Sequence, residues 1–95
     1  MKAYETLFIT SPLLLEEEQK AMTQKVLDVI ANKGGEVENV DEWGKKRLAY
    51  EINKQREGYY TLVNFKGNND VLDELNHIYK ITEDLYRGIV IKLEK

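Results

Sequence analysis

The chain has 95 residues, of which 42% are hydrophobic and none is cysteine. That is enough to bury one core and not two, so a single domain over residues 1–95 is expected. With 17 acidic against 14 basic side chains the formal charge is −3, which excludes a histone-like protein that coats nucleic acid through net charge; any such contact has to be local. The lack of cysteine excludes a disulfide framework, a thiolate zinc site and a cysteine nucleophile, and suits a reducing compartment.

No apolar run approaches the roughly 18 residues that a membrane helix needs. Met1-Lys2-Ala3-Tyr4-Glu5 leads straight into a strand-like pattern and not into an export signal, so a soluble cytoplasmic protein with no membrane contact is expected. Residues Lys2 to Thr10 alternate, with Tyr4, Thr6 and Phe8 on one side and Glu5, Leu7 and Ile9 on the other, which predicts a first strand. Ser11-Pro12 breaks it. From Leu15 to Lys33 the apolar residues Leu15, Met22, Val26, Val29 and Ile30 recur at helical spacing. Glu16, Glu17 and Glu18 stand where a first helical turn favours negative charge, and Gly34-Gly35 ends the helix.

Glu36 to Val40 and Arg47 to Ile52 read as one long, bent second strand, with Asp41-Glu42-Trp43-Gly44 between them and a bulge expected at Gly44. Asn53 to Glu57 reads as a polar turn, and Gly58 to Lys66 as a third strand that pairs with the second in a hairpin. Gly67-Asn68-Asn69 supplies a turn and a helix cap. Val71, Leu72, Leu75, Ile78 and Tyr79 mark the buried stripe of a shorter second helix, and Leu85 to Leu93 is a fourth strand. The order β-α-β-β-α-β predicts an α+β, ferredoxin-like split β-α-β fold: a four-stranded antiparallel sheet, two helices on one face, and the second and fourth strands at the edges. That fold hosts many unrelated functions.

Catalytic chemistry finds few candidates. His77, the only histidine, falls off the apolar stripe of its helix and reads as a solvated surface residue. Glu16-Glu17-Glu18, Asp73-Glu74 and Glu83-Asp84 lack the spacing of a calcium loop, and charge at a helix start explains the first. No phosphate-cradling glycine loop opens a helix. The acylphosphatases, small hydrolases of this topology, place an arginine-bearing, glycine-rich loop between the first strand and first helix. Here that connection reads Thr10-Ser11-Pro12-Leu13-Leu14, with neither residue. No catalytic residue, metal, cofactor or small-molecule substrate is expected.

Charge is unevenly spread. Glu5 to Glu42 holds nine acids and three bases, whereas Lys45 to Arg56 holds five bases and one acid. The basic hairpin can neutralise phosphates, or it can keep an edge strand from pairing with copies of itself; charge alone leaves both open. Both faces of the sheet are partly apolar, and two helices cover only one, so the other is left as a partner-binding or base-stacking surface. Arg56-Glu57-Gly58-Tyr59-Tyr60 partly matches the third-strand signature of RNA-recognition motifs, but the aromatic spacing that should follow is absent.

The string Gly44-Lys45-Lys46-Arg47-Leu48-Ala49-Tyr50-Glu51-Ile52-Asn53 resembles the signature of the ribosomal protein six family of the bacterial small subunit. The resemblance runs through Tyr4-Glu5, Pro12, Gly34, Val37, Trp43-Gly44, Gly58-Tyr59 and Ile89-Val90-Ile91-Lys92. It implies a ferredoxin-like, non-enzymatic constituent of the ribosome in the cytoplasm. It further implies pairing with ribosomal protein eighteen and joint binding of the central domain of small-subunit (16S) ribosomal RNA during assembly. The sequence given stops at Lys95, so no role is expected here for the long acidic tail that some members carry.

On that basis the expected partner-binding residues are Asp41, Glu42, Lys46 and Arg47, along the edge of the second strand. The expected RNA-binding residues are Lys2, Lys45, Lys46, Arg47, Arg56, Arg87 and Lys92, contacting phosphate and not bases. Tyr50 and Tyr59 flank the hairpin; buried packing across strands is expected of them, with stacking on RNA as the alternative. The alternative reading is a ferredoxin-like interaction or self-associating domain unconnected with the ribosome.

Overall fold

The structure is a computed structural model and describes residues 2–52 and 54–93. Strands β1 (Lys2–Thr10), β2 (Glu36–Ile52), β3 (Gln55–Gly67) and β4 (Leu85–Lys92) and helices α1 (Glu16–Asn32) and α2 (Asn69–Ile81) follow one another as β1-α1-β2-β3-α2-β4. The four strands form one antiparallel sheet in the order β2-β3-β1-β4, with β2 and β4 at the edges as expected.

Alternation in β1 decides which face is covered. Tyr4, Thr6 and Phe8 point inward and meet Thr61, Val63 and Phe65 of β3 beneath the helices. Val26 and Ile30 of α1 and Val71, Leu75 and Ile78 of α2 complete the core with Leu85. Close approach sets two glycine positions. A Cβ on Gly88 would lie 2.4 Å from the Tyr79 ring, and one on Gly58 would lie 2.5 Å from Ile9 Cγ2.

The helix ends are satisfied by local chemistry. Asn68 accepts a hydrogen bond from the Asp70 amide and so caps α2. At the end of α1, Gly34 takes φ +85°, its amide bonds Ala31 O at 3.1 Å, and the Gly35 amide bonds Ile30 O at 2.8 Å. Those bonds take up carbonyls that the helix leaves unpaired.

Two expectations are corrected. Leu15 precedes α1 instead of joining its buried stripe: it is 70% exposed, has no side-chain oxygen to cap with, and its amide is bonded by Glu18 Oε1 at 2.8 Å. The inward place is taken by Gln19, whose amide group donates to Ser11 O and accepts from Thr10 Oγ1 at 2.6 Å, so its polarity is satisfied although it is buried. The polar turn is also shorter than expected, because β2 runs to Ile52 and β3 starts at Gln55. Asn53 lies outside the described residues, and Lys54 beside it takes φ 65°.

Candidate nucleic-acid and partner interface

The uncovered face of the sheet carries Leu7, Leu62 and Ile89 in one cross-strand row, and Ile9 opposite Tyr60 and Arg87 in the next. Ile89 and Ile91 are exposed at the β4 edge. A half-apolar, solvent-facing sheet surface that neither α1 nor α2 covers is suited to a macromolecular partner. Toward β2 the row ends in Trp43, stacked on Tyr60 with ring centroids 6.3 Å apart. The Trp43 indole N–H donates to Asp41 at 3.0 Å, and the Lys46 ammonium sits 5.6 Å from the ring.

Gly44 explains how the strand bends here. Its φ of +82° and the register shift between Glu42 and Gly44 form the expected bulge, which raises local twist and spoils a flat edge. Beyond it the end of the hairpin leans over the open face. Leu48 is buried there beside Ile9 and Gly58, and Tyr50 reaches the opposite edge. The Arg87 guanidinium lies over the Tyr50 ring at 5.5 Å and donates to its hydroxyl. Tyr50 is therefore exposed and packed against β4, not buried between hairpin strands as expected.

Adjacent residues of a strand face opposite sides, and this divides the expected partner residues. Asp41 and Lys46 lie on the open side with Trp43. Glu42 turns to the helix side, where it accepts a hydrogen bond from the Tyr59 hydroxyl at 2.9 Å. That bond, then burial, then the charges of Glu42 and Glu16 raise the Tyr59 pKa above its ordinary 10.0. Tyr59 is thus a hydrogen-bonded wall of a cleft of about 460 Å³ at the start of α1, which Lys45 and Lys20 share with Glu16 and Glu42. Lys45 is set apart from Lys46 and Arg87.

Arg47 and Arg56 line a second, shallow cleft of about 320 Å³ at the end of the hairpin with Tyr50 and Glu51, and Arg56 pairs with Glu51 at 3.6 Å. Lys2 and Lys92 lie together at the far end of the sheet. Direct side-chain contact with Lys2, followed by repulsion between the two charges, holds the Lys92 ammonium below its ordinary pKa. The seven expected cations are thus divided: Lys46 and Arg87 on the open side at opposite edges of the sheet, Arg47 and Arg56 on the hairpin, Lys2 and Lys92 at the far end, and Lys45 alone on the helix side. His77 is exposed on α2. Among the described residues no group of three or more His, Cys, Asp or Glu side chains could hold a metal ion, and no helix is long and apolar enough to cross a membrane.

The family model described as Ribosomal protein S6 matches residues 3–92. The chain belongs to the ribosomal protein S6 family. It is 53% identical over 95 residues to the small ribosomal subunit protein bS6 of Clostridium novyi (strain NT), with 100% of each chain covered. To the protein of the same name from Caldanaerobacter subterraneus it is 45% identical over 94 residues, with 99% of each covered. The crystal structure of 30S ribosomal protein S6 from Thermotoga maritima matches with a TM-score of 0.91 at 31% identity, covering 97% of this chain and 87% of that one. Membership of the S6 family makes this chain a ribosomal protein of the small subunit, part of a cytoplasmic ribonucleoprotein that works in translation.

Proposed function

We propose that this chain binds the central domain of 16S ribosomal RNA jointly with ribosomal protein eighteen during small-subunit assembly, acting as a structural constituent and not as an enzyme. The whole chain acts as one domain. The observation that carries this reading is the concentration of Lys46, Arg47, Arg56 and Arg87 around the hairpin and open face of an otherwise acidic protein. Cations so grouped neutralise backbone phosphates and fix register on RNA without reading sequence. Lys2, Lys92 and Lys45 extend the contact from the far end and the helix side. The acidic remainder attracts a basic protein partner that shares the RNA surface.

The partner is received along β2. Among the described residues its outer backbone groups lack a neighbouring strand, and its charged residues discourage pairing with a second copy until the partner arrives. Asp41 and Lys46 contact it from the open side, while Glu42 and Arg47 contact it from the other side of the same strand. Alanine at all four is expected to weaken heterodimer formation, measured by calorimetry; unchanged affinity removes this edge from the proposal.

The RNA reading is tested by footprinting the central-domain RNA with each protein alone and with both. Protection that appears only with both is the expected result. Full protection by this chain alone removes the joint binding, and a stable free homodimer that fails to enter small subunits favours the self-associating alternative.

A further inference from the structure

Arg87 differs from the other arginines in what holds it. Arg56 is paired with a carboxylate, Glu51, and so enters any encounter with phosphate partly neutralised. Among the described residues Arg87 has no carboxylate within ion-pair distance. It is held instead by Tyr50, through the ring face at 5.5 Å and through the hydroxyl, which accepts a bond from Nη2. Tyr50 comes from a point 37 residues away in the chain, delivered by the lean of the hairpin over the open face. Leu48 packed beside Ile9, and the missing side chain of Gly58, make that lean possible.

A tyrosine and a glutamate hold an arginine with opposite consequences. Both remove rotamer freedom from the long side chain, but the tyrosine leaves the full positive charge and most of the guanidinium donors free. We infer that Tyr50 is a positioning residue for Arg87: it fixes the guanidinium at the border of the open face, still fully charged, ready to pair with an RNA phosphate. The inference rests on the RNA reading above and names a residue that gives no charge to the RNA yet raises affinity by lowering the ordering cost of one that does.

The test measures binding of the full chain, with ribosomal protein eighteen present, to a central-domain fragment of 16S ribosomal RNA over a range of salt concentrations. Arg87→Ala is expected to weaken binding and to reduce the salt slope by about one. Tyr50→Ala is expected to weaken binding roughly two- to tenfold, the cost of ordering one released side chain, with the slope unchanged. Tyr50→Phe keeps the ring and loses the hydroxyl, and falls between wild type and Tyr50→Ala. The double variant Tyr50→Ala, Arg87→Ala binds no more weakly than Arg87→Ala, because Tyr50 acts only through Arg87.

Wild-type affinity in both Tyr50 variants overturns the positioning role while the loss in Arg87→Ala leaves the RNA reading in place. Losses that simply add in the double variant also overturn it, because Tyr50 then works independently of Arg87. Wild-type affinity and slope in Arg87→Ala overturn the placement of Arg87 on RNA, and the positioning role falls with it. Thermal unfolding of each variant separates a folding defect in Tyr50→Ala from a binding effect, and Tyr50→Phe decides the matter if such a defect appears.

Discussion

The two faces of β1 are built from neighbouring residues and do different work. On the covered face Tyr4, Thr6 and Phe8 are shut from solvent against β3 and the helices, and even the polar one is satisfied: Thr6 donates to Ile89 O at 2.8 Å and meets the Tyr79 hydroxyl at 2.7 Å. On the open face Leu7 and Ile9 are covered only by their strand neighbours and by the tip of a hairpin. The covered face is a close-packed interior in which a lost methylene is felt. The open face is a surface whose residues are held by single contacts such as Trp43 on Tyr60 and Arg87 on Tyr50. One sheet thus separates stability from recognition by side-chain alternation alone.

Substitutions should respect that division. Phe65→Ala on the covered face is expected to cost about 3–5 kcal/mol in urea unfolding. A smaller loss would show that the core collapses around the cavity. Tyr79 makes the covered face sensitive to alkaline pH: burial, offset in part by the Thr6 hydroxyl, pushes its phenol from 10.0 to about 12. The folded protein holds the neutral form, so stability is full below about pH 10 and falls as pH rises toward about 12, by roughly 2–3 kcal/mol. Comparison of wild type with Tyr79→Phe across that range isolates the effect, because the variant lacks the titrating group.

Gly58 ties the hairpin to the open face. Gly58→Ala drives a methyl against Ile9 and Leu48 and is expected to cost about 1–3 kcal/mol while also weakening the Tyr50 contact. A loss of stability with no change in RNA binding would uncouple the hairpin from the open face. Thr61→Val removes a buried hydroxyl that has no hydrogen-bond partner among the described residues and is expected to stabilise by about 1 kcal/mol, read as a higher urea midpoint. Lys46→Ala and Arg47→Ala, on exposed positions, are expected to change stability by no more than about 0.5 kcal/mol while lowering affinity for RNA or partner. A large stability loss there would erase the contrast between the faces.

The covered face was legible in the sequence because burial imposes period. Tyr4, Thr6 and Phe8, the stripe Val71, Leu75 and Ile78, and the caps at Asn68 and Gly34 all follow from spacing and turn chemistry. Gln19 was not legible, since only the folded chain brings Thr10 and Ser11 to its amide. Leu15 misled for the opposite reason: an apolar residue at helical spacing carries no sign that the helix starts after it. The full length of the hairpin is not legible, because Gln55, Arg56 and Glu57 are polar and their strand state comes from pairing with β2 and not from composition. The individual cations were legible and their grouping was not. Asp41 and Glu42 part to opposite sides through the pleat, and the lean that joins Tyr50 to Arg87 depends on Gly58 and Leu48 together.

Trp43 is the only tryptophan in the chain, and it sits 42% exposed at the β2 edge, between a tyrosine ring, a carboxylate and an ammonium group. Its emission therefore comes from one known place and responds to the polarity and quenchers at that edge. The protein carries its own optical probe: with no dye or label, a change in colour or intensity reports directly whether the edge strand is bare or covered.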